Sequence, residues 1–442
     1  MLSLAPALVA PDRLAAQSPA VGMGAAGAIV AEPSASVAAL APSAADAVAA
    51  ALAPVPAADA VAPWLESDVD RLMSAALARG AAPGAAVVIG HRGRILLARG
   101  WGKIDRASGA PAATEETLWD LASVTKVAAT TVAAMVLVQE GALDLDRPLH
   151  AYLTEWPADG PRAAITARHL LRHRSGLPAG GQVARGGRPE VVARIAAAPL
   201  IAEPGTVEHY GDLDMVLLGA VVEAVAGEPL DRFLEERVYG RLQMAETTFR
   251  PLERGFAPTA IAPTELLPTG LIHGVVHDPI ARGLDGVSGN AGLFASASDL
   301  ARLASALLWE QPDRVVCREV VEEFTRPVYG GRYALGWESA APGTVWGEVL
   351  SRSAFGHTGY TGTSIWIDPE RELFVVLLTN RVNPSARNQR HLELRWQLHD
   401  AVQRAIPRTR RDAPLPDGCA VDREAEAVRE AVRTLPPLRW IH

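Results

Sequence analysis

The stretch LWDLASVTKVAATTVAAMVLVQEGALDLD, Leu118 to Asp146, limits what this chain can fold into more than any other. Past Lys126 it is rich in helix formers and shows almost no polar face, as Ala128, Val132, Met135, Val136 and Val138 illustrate. A helix that is apolar all round must be covered on every side, so the fold needs a core large enough to enclose it. Ser123, Thr125 and Lys126 open this helix. A lysine on the first turn of a buried helix is costly unless something there requires it.

The chain can supply such a core. It has 442 residues, of which 49% are apolar and 21% charged, enough for a large buried interior. A formal net charge of −8 with no basic cluster argues against a nucleic-acid surface. No run of eighteen apolar residues occurs outside an Ala-rich N-terminal segment, so no firm membrane signal is present. Cys317 and Cys419 stand in no metal or redox spacing; pairing in an oxidising compartment and two separate structural thiols both fit.

Residues 1–63 are mostly Ala, Pro, Ser and Gly and read as a disordered segment or linker. The opening MLSLAPALVA is apolar but has no basic region ahead of it, so a complete signal peptide is not read there. One folded domain is expected over 64–408, followed by a polar tail, 409–442. In that domain a helix is expected at about 65–79. A hairpin over 84–102 follows, turning at His91 to Arg94. Strand patterning returns in SAFGHTG, GTSIWIDPE and RELFVVLLTNR, with Asp368 to Arg371 as a turn, and a final helix is expected at about 386–405. Between these ends, 145–315 reads as helical pieces joined by Pro/Gly-rich loops. The expected fold class is α/β (α+β): an antiparallel sheet built from both chain ends and flanked by helices, plus a mostly helical lobe. The cleft between the two is the expected site.

Ser123 and Lys126 are three residues apart, which puts hydroxyl and amine on one helix face. A helix N-terminus adds free N–H groups and the positive end of the dipole. A nucleophilic serine needs those parts: a base for its proton and donors for an oxyanion. Lys126 serves as base only when neutral. Lowering its pKa from about 10.4 to about 7 costs roughly 4.6 kcal/mol, which burial and a neighbouring cation can supply. Taken alone, Ser-x-x-Lys also fits an ordinary helix start with a lysine reaching past an apolar face.

Two further segments join it. EPGTVEHYGDLDMVLLGAVVEAVAG places Tyr210 before an apolar helix, and FGHTGYTGTSIWIDPERELFVVLLTN places His357-Thr358-Gly359 on a strand. With these three motifs in this order, the chain resembles the serine β-lactamase and penicillin-binding-protein-like superfamily. The likeness lies on the side of class C β-lactamases, related esterases and DD-peptidases, and covers roughly 65–405. HLLRHRSGLP and VHDPIARGLDGVSGNAGLFASASDLARL support it.

The resemblance implies that Ser123 is acylated, with Lys126 beside it. It implies that Tyr210 shares the proton transfers and activates the deacylating water. His357, Thr358 and Gly359 then line the substrate strand, and the Ser123 and Tyr360 amides form the oxyanion hole. Gly359 and Gly362 fit a strand that substrate backbone approaches closely. Two departures stand out. Asp212 replaces an asparagine, and either pairs with Lys126, raising its pKa, or caps the next helix. His357 replaces a lysine, a permanent cation for a substrate carboxylate, which favours esterase- or peptidase-like substrates over a dedicated β-lactamase.

The implied function is an acyl-serine hydrolase acting on a small-molecule or peptide substrate: an ester, a D-alanyl peptide or a β-lactam. The alternatives are a weak or inactive penicillin-binding scaffold on the same fold and a true class C-type β-lactamase. Export to the periplasm or beyond is expected, because cell-wall peptides and antibiotics are met there. No cofactor or metal is expected: the pairs His169/His173 and His273/His277 lack the H-E-x-x-H glutamate. Arg381 and Asn383 either form a carboxylate-binding lip or belong to a polar turn.

Overall fold

A computed structural model describes residues 63–180, 186–309, 315–328, 331–340 and 350–406. The expected N-terminal segment, except Pro63, lies outside these residues, as do the tail 409–442 and Cys419. The first helix, α1, spans Leu65–Ala78 and leads into strands β1 (Gly84–His91) and β2 (Arg94–Gly102). Their two-residue turn, Arg92-Gly93, has φ 49° and 76°. That pair of left-handed residues matches the twist of a tight hairpin, and Gly93 takes the second position without strain.

The middle of the chain is mainly helical, as expected, but carries two small sheets that periodicity did not suggest. Strands β3 (Trp119–Asp120), β4 (Thr248–Phe249) and β7 (Leu293–Ala295) form one, and β5 (Leu266–Leu267) and β6 (Gly270–Leu271) form the other. The last strands are β8 (Glu338–Ser339), β9 (Phe355–Thr358), β10 (Ser364–Asp368) and β11 (Leu373–Thr379).

One antiparallel sheet of order β2-β1-β11-β10-β9-β8 joins the two ends of the chain. Every residue of β1 and β11 is buried, and the period of two divides them between two cores. Ala85, Val87, Ile89, Leu373, Val375 and Leu377 meet Leu65, Val69 and Met73 of α1 on one face. Ala86, Val88, Phe374, Val376 and Leu378 face the large core that holds the apolar helix. The C-terminal helix spans His391–Ala405 and packs beside α1.

The structure corrects two helix boundaries. The C-terminal helix begins at His391, not near 386, because 386–390 are tied down as loop. Asn388 donates to the Gly80 and Ala81 carbonyls (3.0 and 2.9 Å), and the Asn388 carbonyl accepts from Arg381 (2.9 Å). The apolar helix is not one α-helix starting at Ser123. It runs as a 3-10 turn (Ala122–Val124), a π-helical turn (Lys126–Thr131) and then an α-helix (Val132–Gln139). Among the described residues, Ala122–Gln139 is the one helix long and apolar enough to cross a membrane, and it lies mostly buried in the protein.

His399 on the C-terminal helix is fully buried, and burial, then the Arg395 charge, push its pKa down to about 3. The unfolded chain binds a proton at this side chain below about pH 6.5 and the folded chain does not. The stability His399 contributes is therefore present above pH 6.5 and lost as the pH falls. Relative to His399→Leu, the wild-type chain should lose about 2 kcal/mol between pH 7.5 and pH 5.0, read by urea unfolding at both values. A pH-independent difference would refute a neutral buried His399.

Candidate active site

The Ser123 turn is set by its neighbours. Ala122 has φ 47°, a left-handed conformation that costs a residue with a Cβ about 1–2 kcal/mol. Its N–H donates to the Asp120 carboxylate at 2.9 Å, and the Val124 N–H donates to the Leu121 carbonyl at 3.1 Å. The chain thus turns sharply into Ser123 at the mouth of the buried helix.

Lys126 is fully buried, and its Nζ spends all three protons. It donates to Ser123 Oγ at 3.0 Å, to Asp212 Oδ1 at 2.6 Å and to the Asn290 carbonyl at 3.1 Å. The Tyr210 ring lies 5.2 Å from the same nitrogen. Burial pulls the Lys126 pKa down, but Tyr210 and Asp212 outweigh it and hold the ammonium above its ordinary value. Lys126 is therefore a cation, not the neutral base its burial alone suggested. Of the two readings open for Asp212, pairing is correct. Gly211 is the cap residue and Asp212 the first residue of helix Asp212–Ala226, so the carboxylate also faces the positive end of the dipole.

The chain brings most of the remaining sequence-derived residues to the same place. Tyr210, 37% exposed, stands over a wall of rings: His173 at 4.7 Å, Tyr333 at 5.4 Å and His357 at 6.0 Å between centroids. His357 is buried on β9 and donates through Nδ1 to the Thr358 carbonyl at 2.8 Å. Burial, then the Lys126 charge, hold its imidazole well below the usual histidine range. Tyr360, 54% exposed, stacks on His277 at 5.6 Å and lies under the Arg381 guanidinium at 4.4 Å.

Two sequence readings change. A Cβ on Gly359 would stand 2.0 Å from Thr363 Oγ1 and 2.4 Å from the Leu121 carbonyl. The close approach that demands glycine there comes from the protein's own chain. Arg381 and Asn383 are buried rather than forming a lip. Arg381 donates to the carbonyls of Tyr360 (2.7 Å), Ala386 (2.5 Å) and Asn388 (2.9 Å), and Asn383 donates to Asp105 (3.3 Å).

Sequence reasoning missed several members of the site. His173 touches Asp214 at 3.1 Å, and Ser175 donates to the other oxygen of that buried carboxylate. Both residues lie in HLLRHRSGLP, yet nothing in that string indicates contact with Tyr210. Tyr333 comes from a loop with no motif at all, and burial raises its pKa far above the usual range. The remaining members of the two i, i+4 histidine pairs have structural partners. His169 completes a capping box with Thr166, His273 bonds the Pro258 and Ile261 carbonyls, and His277 bonds Glu265.

A double-mutant cycle tests the central pair. Asp212→Asn should cost about 2 kcal/mol of unfolding free energy, less than a fully buried pair because Asp212 is partly solvated. Lys126→Met should cancel part of that loss, since no charge then lacks a partner. Additive losses would mean that the two residues are uncoupled.

The Beta-lactamase family profile matches residues 69–400. A protein of Escherichia coli O157:H7, named provisionally a D-alanyl-D-alanine carboxypeptidase, is 34% identical over 341 residues, covering 68% of this chain and 78% of that one. An N-acetylmuramyl-L-alanine amidase of Bacillus subtilis (strain 168) is 33% identical over 354 residues, covering 71% and 80%. Among solved structures, EstCE1, a hydrolase with promiscuous acyltransferase activity, superposes with a TM-score of 0.61 at 25% identity, covering 76% of this chain and 98% of that one. The chain belongs to the Beta-lactamase family, within the superfamily of serine β-lactamases and penicillin-binding proteins, and its relatives support a hydrolase.

Proposed function

We propose that the protein is a serine hydrolase that forms an acyl-enzyme on Ser123 and cleaves an ester, an amide or a D-alanyl-type peptide bond. The observation that carries this reading is the Lys126 ammonium, bonded at once to Ser123 Oγ (3.0 Å) and to Asp212 (2.6 Å) beneath the Tyr210 ring. Ser123 Oγ attacks the carbonyl carbon and gives its proton to the Tyr210 oxygen as that phenol gives up its own proton towards the leaving group. Lys126 stays charged and compensates the negative charge passing through both oxygens. The leaving group departs with that proton, and water, activated at Tyr210, later hydrolyses the acyl-serine. The Ser123 and Tyr360 amides serve as the oxyanion donors.

A scaffold without turnover would have no need to keep a buried cation on the serine, so the active reading is preferred. Export fits cell-wall or antibiotic substrates and is proposed with it. Ser123→Ala should abolish turnover of p-nitrophenyl butyrate with Tm changed by less than about 2 °C. Intact mass after p-nitrophenyl acetate should show one acetyl adduct on the wild-type chain and none on the variant. Retained turnover in Ser123→Ala would sink the assignment.

The charges around the site favour a substrate with no carboxylate at the strand edge. His357, where the family motif also admits lysine, is held neutral, and Arg381 turns its Nε and Nη1 donors onto three backbone carbonyls. The methyl ester of an N-acyl-D-alanyl-D-alanine should therefore be cleaved with a kcat/KM at least about tenfold above that of the free acid, a difference of about 1.4 kcal/mol. A preference for the free acid would point to a carboxypeptidase.

A further inference from the structure

We infer that Asp120 is a positioning residue for the oxyanion hole, joining the two chain segments whose backbone amides would hold the substrate's developing negative charge. The inference rests on the proposed acyl-serine reading. Asp120 lies three residues before Ser123 on β3 and is 2% exposed. One carboxylate oxygen accepts from the Ala122 N–H at 2.9 Å, and the other accepts from the His277 N–H at 2.6 Å. Its backbone carbonyl accepts from Thr361 Oγ1 at 2.7 Å.

Each bond reaches a different wall of the site. The first restrains Ala122 in its left-handed conformation, and so fixes where the Ser123 amide points. The second fixes His277, whose ring stacks on Tyr360 at 5.6 Å and whose Nε2 lies 3.0 Å from Glu265. The third ties down Thr361, the residue after Tyr360. Two residues on, Thr363 Oγ1 donates to the Leu121 carbonyl at 2.8 Å, lacing the same two segments again. Arg381 closes the far side through the Tyr360 carbonyl at 2.7 Å.

Asp120 is thus bonded to both chain segments whose amides form the proposed hole. Its buried carboxylate sustains a strained residue that would otherwise relax. An oxyanion hole acts by preorganisation, so a small change in the spacing of its two amides weakens transition-state binding far more than substrate binding.

Asp120→Asn keeps the side-chain shape but can no longer accept from both amides. Its kcat on p-nitrophenyl butyrate should fall about 100-fold with KM within about twofold. Affinity for phenylboronic acid, which forms a tetrahedral adduct on serine, should fall by a similar factor. Thr361→Val should lower kcat without altering the carboxylate, and Thr361→Ser should restore it, which keeps the test usable if Asp120→Asn does not fold. As a control, Asp299→Asn replaces another buried aspartate, bonded to Glu246, Thr247 and Ser296. It should lower Tm and leave kcat intact.

An Asp120→Asn variant that loses only Tm, as the control does, would overturn the role, and so would a rise in KM alone or unchanged boronate affinity. Wild-type chain without Ser123-dependent turnover would instead refute the acyl-serine reading itself, and this inference with it.

Discussion

An ammonium group inside an apolar helix has no stable existence without a partner, and the architecture around Ser123 follows from that constraint. Lys126 is enclosed by the side chains that make Val127–Val138 a core helix, so water cannot solvate it. Its three donors are met by Ser123 in its own turn and by two residues from other parts of the chain. Asp212 comes from the start of a second apolar helix, Asn290 from a Gly-rich loop, and Ser123 from the turn just before it. Satisfying one buried charge therefore brings two distant segments to the turn that carries Ser123. That point is where a nucleophile would have to be.

The same bonds decide which chemistry the cation can perform. An unpaired buried lysine loses its proton readily and becomes a base. Here the carboxylate 2.6 Å away and the neighbouring phenol reverse that tendency. In the proposed reaction Lys126 then acts by its field, stabilising negative charge on oxygens nearby rather than collecting a proton. An asparagine at 212 would bond the amine without holding its charge. One side chain thus shifts the balance between a lysine that moves protons and a lysine that stays charged.

Much of this was legible in the sequence, and what was not has a common physical reason. The two strand-rich ends, the hairpin at Arg92-Gly93 and the three motifs are local patterns of period, turn chemistry and spacing. They showed the sheet joining the chain ends and the convergence of Ser123, Lys126 and Tyr210. The start of the C-terminal helix was misplaced because Asn388 bonds to residues about three hundred positions earlier, and no local propensity records that. Arg381 stood open between a lip and a polar turn because only packing shows its guanidinium folding back onto the carbonyls of Tyr360, Ala386 and Asn388. Tyr333, His173 and Asp214 escaped for the same reason: each meets Tyr210 or its neighbours only through tertiary contact. The choice for Asp212 was visible as a choice, but only packing could make it.

Sequence also cannot show where strain is stored. Ala122 is an ordinary helix former, and nothing in its identity announces a φ of 47°. The conformation persists because bonds on several sides over-determine it. The Asp120 carboxylate holds its amide, Leu121 donates to Leu293, and Thr363 holds the Leu121 carbonyl. Strain of this kind is tolerated in native chains when it serves a geometry that relaxed backbone cannot reach. Here that geometry exposes one hydroxyl at the mouth of a helix whose other residues are almost all buried. The buried cation fixes where the serine must be, and the strained alanine fixes which way it faces.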